Sequence, residues 1–392
     1  MPESKRLVYL VQSRIDEFLM SREPIVTLIS PDLAPLIDYS RQFLSGGKRF
    51  RAQFCYWGAQ SVLPPDYGAE SGQPAANEPA DGATGAGGAG GALAPAPVGL
   101  TAVVSAASAL EIFHAAALVH DDIIDNSDTR RGAPSAHKLF ENLHESAGWS
   151  GDPGSFGRAS AILLGDLLLG WSDELLDEGL WELADQSAAR RARHEFNHMR
   201  TEVTAGQYLD ILEERAWLAQ PEAELLDRAL RVIVFKSAKY SIQAPLVIGA
   251  ALAGGSTAQL NALRAFGLPL GMAYQLRDDL LGVFGDAAVT GKPSGDDLTE
   301  GKRTVLIALA RERLADADRA ALDAQLGDPT LDAGQIRALQ QLIIASGAVD
   351  RVEALIESQV AEALSTLETA PVSTLARQKL LDLTDRVTRR TF

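Results

Sequence analysis

Asp121, Asp122 and Asp125 close an alanine-rich run, TAVVSAASALEIFHAAALVHDDIID, and their spacing decides what they can do. At 3.6 residues per turn, Asp121 and Asp125 stack on one helix face, which His114 and Ala117 continue toward the amino end. Two stacked carboxylates repel, and the negative end of the helix dipole adds to the penalty, so the pair calls for a cation. Hard oxygen donors favour Mg²⁺, which takes one or two carboxylates and leaves its other positions to water and phosphate. Alone, a DDxxD is equally well a solvated acidic helix end.

The flanking residues favour the metal. Asn126-Ser127-Asp128-Thr129-Arg130-Arg131-Gly132 follows at once, and the planar fork of Arg suits phosphate, so aspartates and arginines together describe a metal-bridged diphosphate site. A second acidic pair, Asp278-Asp279, follows Gln275 by about one turn and could neutralise the other side of the same diphosphate. Basic residues able to cradle phosphate come in three further places: Gly46-Gly47-Lys48-Arg49-Phe50-Arg51, Lys236-Ser237-Ala238-Lys239-Tyr240, and Gly291-Lys292 with Gly301-Lys302-Arg303. Each by itself reads as a solvated face; their order around two Asp motifs is what is specific.

Helices must position these groups. Residues 100–125 contain neither Gly nor Pro and are rich in Ala and Leu, which predicts one long helix. The same reasoning predicts helices over 159–178, 189–213, 221–253, 257–284, 304–314, 334–346 and 351–390. Period-2 alternation is missing, so the expected class is all-α, a single-domain bundle. Residues 64–99, nearly all Ala, Gly, Pro and small polar types, read as a flexible insertion, and 144–158 and 287–301 as polar loops.

Bulk properties restrict the partners. The 392 residues carry a net charge of −16, which repels nucleic acid and anionic lipid, so an anionic ligand needs a local basic cluster or metal. Cys55 is the only cysteine, which excludes an internal disulfide and a multi-cysteine metal site. No stretch reads as a signal peptide or approaches the ~20 apolar residues of a membrane span, and the expected location is the cytoplasm.

In order along the chain, GGKRFR, LVHDDIIDNSDTRRG, GQYLD, KSAKYS, YQLRDDLLGVFGD and TGKPSGDDLTEGKRT resemble the motifs of the trans-polyprenyl diphosphate synthases, the geranylgeranyl and farnesyl diphosphate synthases. The resemblance implies an all-α fold around a deep central cavity, a homodimer, and Mg²⁺. By motif position it implies Asp121, Asp125 and Asp278 as metal ligands, with Asp122 supporting them and Lys236 joining them in the catalytic set. Lys48, Arg51, His114 and Arg131 resemble the isopentenyl diphosphate site. Arg130, Lys236, Lys292 and Lys302 resemble the groups that hold the allylic diphosphate, with Ser237 and Gln275 nearby, and Gln207 and Asp210 match a further polar motif. One position departs: the second motif usually reads DDxxD, and its last place here is Gly282, so any third carboxylate must be Asp279 or Asp297.

The reaction so implied joins isopentenyl diphosphate to an allylic diphosphate. A terpene cyclase would share the DDxxD logic but leave GGKRFR and His114 without a task, and a non-catalytic subunit would be free to lose the carboxylates this chain keeps. Product length is a matter of depth along the aspartate helix. Ala117 and Ala116 are too small to stop a growing tail, and Phe113, eight residues before Asp121 and so about 12 Å below it, is the first bulky candidate for a floor. The expected product is geranylgeranyl diphosphate, with longer polyprenyl diphosphates as the alternative.

Overall fold

The computed structural model describes residues 3–64, 99–285 and 294–388. Lys292 and all but the two end residues of the expected insertion lie outside them. Among the described residues the regular structure is helical except for one two-stranded hairpin. Its helices are α1 (Glu3–Ile29), α2 (Ala34–Phe43), α3 (Phe50–Gln60), α4 (Leu100–Ile124), α5 (Ala136–Ser146), α6 (Pro153–Trp181), α7 (Gln186–Ala216), α8 (Leu225–Val232), α9 (Ala244–Leu252) and α10 (Thr257–Phe284). Shorter helices follow over Asp296–Glu300, Val305–Arg311, Asp316–Gln325 and Ala333–Ala345, then two longer ones over Ala348–Thr369 and Thr374–Thr388.

The aspartate helix α4 is the axis of the molecule. It packs along α6 and also meets α1, α3 and α9, which its small side chains allow to come close. Its length and apolarity would suffice to cross a membrane, contrary to the expectation that no stretch comes near; 83% of its most apolar window, however, is buried inside the protein, which makes it a core helix. Two apolar clusters build the interior. One gathers α1, α3, α4, α6, α7, α9, the first half of α10 and the last helix; the other gathers α8, the second half of α10 and buried side chains from Val305 to Ile356.

Three expected boundaries move, each for a local reason. The loop expected over 144–158 shrinks to 147–152, because Asp152 accepts from the Ser155 amide and Pro153 opens α6 at the one place where its missing N–H costs nothing. The helix expected over 351–390 is two helices separated at Pro371. Within the loop expected over 287–301, Asp296–Glu300 is a short helix closed by Gly301 at a φ of 81°.

The single helix expected over 221–253 runs instead through α8, a π-helical stretch over Ile233–Gln243, and α9. Pro245 supplies the reason. Its ring would collide with the carbonyl one α-turn earlier and it offers no N–H, so a wider i→i+5 turn ahead of it relieves both problems. The widened turns fall on KSAKYS and bring Lys236, Ser237, Tyr240 and Ser241 to one cavity wall. Gly206 of α7 lets this stretch approach: a Cβ there would collide with the backbone of Phe235 and Lys236.

Candidate active site

The carboxyl end of α4, the π stretch, α7 and the last third of α10 surround a cavity of about 930 Å³. Asp121 and Asp125 line it one turn apart, the Asp125 amide donating to the Asp121 carbonyl at 2.8 Å. Across from them stand two lysines. Lys302 donates to Asp125 at 2.6 Å, to Glu214 at 3.0 Å and to Asp210 at 3.4 Å. Lys236 donates to Asp210 and, at 3.4 Å, to Asp121, whose carboxylate also accepts from Gln207 at 3.0 Å.

Burial and the neighbouring Asp121 push the Asp125 carboxyl up to about 7, with Lys302 and Lys236 working against them. Burial likewise opposes the charge of Asp210, yet Lys236 and Lys302 hold that carboxyl below its usual range. This wall is therefore a network of buried charges in which Asp125 remains the strained member.

Asp122 points elsewhere. Fully buried and absent from the cavity wall, it accepts from Nε of Arg130 at 2.9 Å and from its Nη2. Its carboxylate fixes that arginine. Arg130 sits in a hairpin that sequence reading did not foresee, with Thr129–Arg130 paired to Ala133–Pro134. Arg131 and Gly132, at φ of 55° and 75°, make its turn of the two-residue type with positive φ at both places.

The second wall is basic. Lys48, Arg51, His114 and Arg131 all line the cavity. Arg49 borders the cavity too, but at 7% exposure its guanidinium is engaged by the protein: it donates to Glu111 at 3.2 Å, to Gln12 at 2.7 Å and to the Leu44 carbonyl. Glu111 also accepts from the Ala52 amide at 3.1 Å, so this buried pair ties the phosphate loop to α4. Burial and the Arg49 and Arg130 guanidinia lower Arg131, while burial with Arg51 and Arg131 lowers His114 well below its usual range. A cluster that suppresses protonation of its own histidine is a strong attractor for an anion.

Asp278 and Gln275 line the cavity from α10. Ser237 donates to Gln275, whose amide donates to Asp279 at 2.7 Å; Asp279 is nearly buried, and burial pushes it up to about 7. Gly282 has its own explanation. A Cβ there would collide with the Asp297 carboxylate, so Asp297 occupies the space that a side chain at 282 would need.

Of the three residues expected to set depth, Ala117 lines the cavity, whereas Ala116 is fully buried behind the wall. Phe113 also lies outside the wall, edge-on to Tyr240 at 5.8 Å and to Phe196 at 6.0 Å, so Tyr240 and Val203 line the cavity where Phe113 was expected to. Lys239 turns away to Glu202, and Arg277 makes a two-bond pair with Glu353 at 2.6 Å. Sequence reading missed Glu111, Tyr240, Ser241 and Glu214 as site residues. Glu111 lies one turn before His114, and Tyr240 and Ser241 stand inside a motif already singled out, which is the signal that could have found them.

Among the described residues no three acidic or imidazole side chains converge to hold an ion by themselves. The donor set still fits Mg²⁺, because Asp121, Asp125 and Asp278 face one cavity and this ion completes its shell with water and phosphate oxygens.

A polyprenyl synthetase family model matches residues 34–343. The chain belongs to this family. It is 30% identical to a geranylfarnesyl diphosphate synthase from Aeropyrum pernix over 71% of this chain and 79% of the relative. A geranylgeranyl diphosphate synthase from Methanosarcina mazei is also 30% identical, over 71% and 78%. Among solved structures, geranylgeranyl pyrophosphate synthase from Corynebacterium glutamicum, complexed with isoprenyl diphosphate and magnesium, is 36% identical with a TM-score of 0.85, covering 99% of this chain and 100% of that one. The chain is thus an all-α prenyltransferase that elongates isoprenoid diphosphates.

Proposed function

We propose that the chain uses Mg²⁺ to join isopentenyl diphosphate to allylic diphosphates and makes geranylgeranyl diphosphate. The observation that carries this reading is one cavity with two unlike walls, carboxylates and lysines on one side, arginines and a neutral histidine on the other. Two diphosphates need two such places.

Mg²⁺ held by Asp121, Asp125 and Asp278 would neutralise charge on the departing diphosphate. Lys236 and Lys302 add charge-assisted donors on that wall, and Arg130, braced by Asp122, adds another. Lys48, Arg51, Arg131 and His114 hold isopentenyl diphosphate with its double bond toward the allylic carbon, an orientation effect that supplies roughly several kcal/mol. The allylic C–O bond breaks with its electron pair leaving on diphosphate, and the double bond supplies the pair for the new C–C bond. A proton is then lost, and the released diphosphate accepts it.

The small Ala117 on the wall supports a product longer than farnesyl diphosphate, as do the names of the relatives. A cytoplasmic homodimer belongs to the same reading: Ile162 and Leu163 leave apolar area on the outside of α6, and Cys55 is a buried free thiol. Light scattering on purified protein tests the dimer.

The direct test incubates the protein with labelled isopentenyl diphosphate, Mg²⁺ and each short allylic starter, then sizes the products. Geranylgeranyl diphosphate should dominate, and condensation with no starter would overturn the assignment. Asp121→Asn and Asp125→Asn should each cost about 100-fold or more in turnover while thermal unfolding is retained. Near-normal turnover in Mg²⁺ would remove the metal-ligand role.

A further inference from the structure

Tyr240 touches two of the four groups assigned to isopentenyl diphosphate. It is 5% exposed, its hydroxyl lies 3.0 Å from Nδ1 of His114, and the Arg51 guanidinium carbon stands 4.2 Å over its ring. The next residue, Ser241, accepts from Arg51 at 2.9 Å. Both side chains come from the π stretch, so the wide turn that reshapes this helix also delivers a platform for the basic wall.

A diphosphate only accepts hydrogen bonds. Lys48, Arg51 and Arg131 offer it donors alone, but a neutral imidazole has one N–H and one bare nitrogen, and the bare nitrogen would repel the anion. His114 is held neutral by burial and by the surrounding guanidinia. Burial keeps the Tyr240 phenol protonated, against the pull of Arg51. Among the described residues, Nδ1 is the ring nitrogen of His114 that has a partner.

We propose that Tyr240 is a positioning residue for the isopentenyl diphosphate site: its hydroxyl donates to Nδ1 of His114 and so keeps the proton on Nε2, while its ring and Ser241 set the Arg51 guanidinium. The tautomer, and with it the direction of one donor to the substrate, is then decided by a group that does not itself bind the substrate. The inference rests on the assignment of His114 to isopentenyl diphosphate made above.

Tyr240→Phe removes the hydroxyl and keeps the ring. Its KM for isopentenyl diphosphate should rise roughly five- to tenfold, the loss expected for one oriented hydrogen bond, and more than its KM for the allylic diphosphate. In a His114→Ala background the same substitution should add nothing. Imidazole ¹⁵N shifts, which do not depend on turnover, should show the Nε2–H form in the wild type and a mixture in Tyr240→Phe. An unchanged tautomer, equal effects on both substrates, or full additivity with His114→Ala would overturn the role of Tyr240. If His114→Ala itself leaves the KM for isopentenyl diphosphate unchanged, the substrate-site reading fails and takes this inference with it, a result distinct from a silent Tyr240→Phe beside an impaired His114→Ala.

Discussion

Adjacent residues of one type can have unlike tasks, and Asp278 and Asp279 show why. Both border the cavity, but Asp279 is only 6% exposed and accepts from Gln275 at 2.7 Å. Its folded form favours the proton: burial raises it from 3.8 to about 7. The stability this group contributes is therefore complete below its ordinary range and is lost as the pH rises through about 7. Asp279→Asn keeps an acceptor for Gln275 and removes the cost of ionisation, so its unfolding temperature at about pH 8 should equal or exceed that of the wild type, with a flatter pH dependence below that. Asp278→Asn should instead cut turnover about 100-fold or more. Melting curves across pH, set beside turnover, check both; a clearly less stable Asp279→Asn at that pH would show that the ionised carboxylate has a partner it needs.

At the scale of an element, α4 shows how far helical periodicity can carry an argument about depth. Ala116, Ala117 and Phe113 all lie below Asp121 in sequence, but packing puts only Ala117 on the cavity wall. Ala117→Phe should shift the product toward farnesyl diphosphate. Ala116→Phe should act mainly through overpacking, at about 1–3 kcal/mol. Phe113→Ala empties space between the Phe196 and Tyr240 rings and should cost about 3–5 kcal/mol in stability without a longer main product. Product chromatography beside chemical denaturation separates these outcomes. Lengthening by Phe113→Ala at unchanged stability would return the floor to Phe113.

Across the whole molecule, the cavity lies at the seam between the two apolar clusters. Val203 and Tyr240 belong to the first cluster, Ala229 and Ile233 to the second, and all four line the wall. The charged groups divide in the same way: Asp121 and Asp125 stand on α4, Asp278 on α10 and Lys302 beyond it. A Mg²⁺–diphosphate ligand would join the two halves and relieve the repulsion that burial forces on Asp125. Inorganic diphosphate with Mg²⁺, at about a hundred times its dissociation constant, should stabilise the fold by about 2.7 kcal/mol. Either component alone should do much less, and Asp121→Asn should remove most of the shift in unfolding temperature. A shift of full size in Asp121→Asn would place the ligand elsewhere.

The sequence by itself determined the all-α class, the aspartate helix, the order of the motifs and most of the residues that meet in the cavity, because helix propensity and the period of 3.6 are local properties. Periodicity says which residues share a face; it does not say where that face points. Packing alone decided that Lys236 enters the site while Lys239 leaves it for Glu202, and that Arg49, beside Lys48 and Arg51 at the cavity, is tied down by Glu111. The widened turn over Ile233–Gln243 answers to a proline in the next element, and Gly282 answers to Asp297, which comes from a different helix. Those relations join residues distant along the chain or packed by neighbours, so only the tertiary structure could decide them.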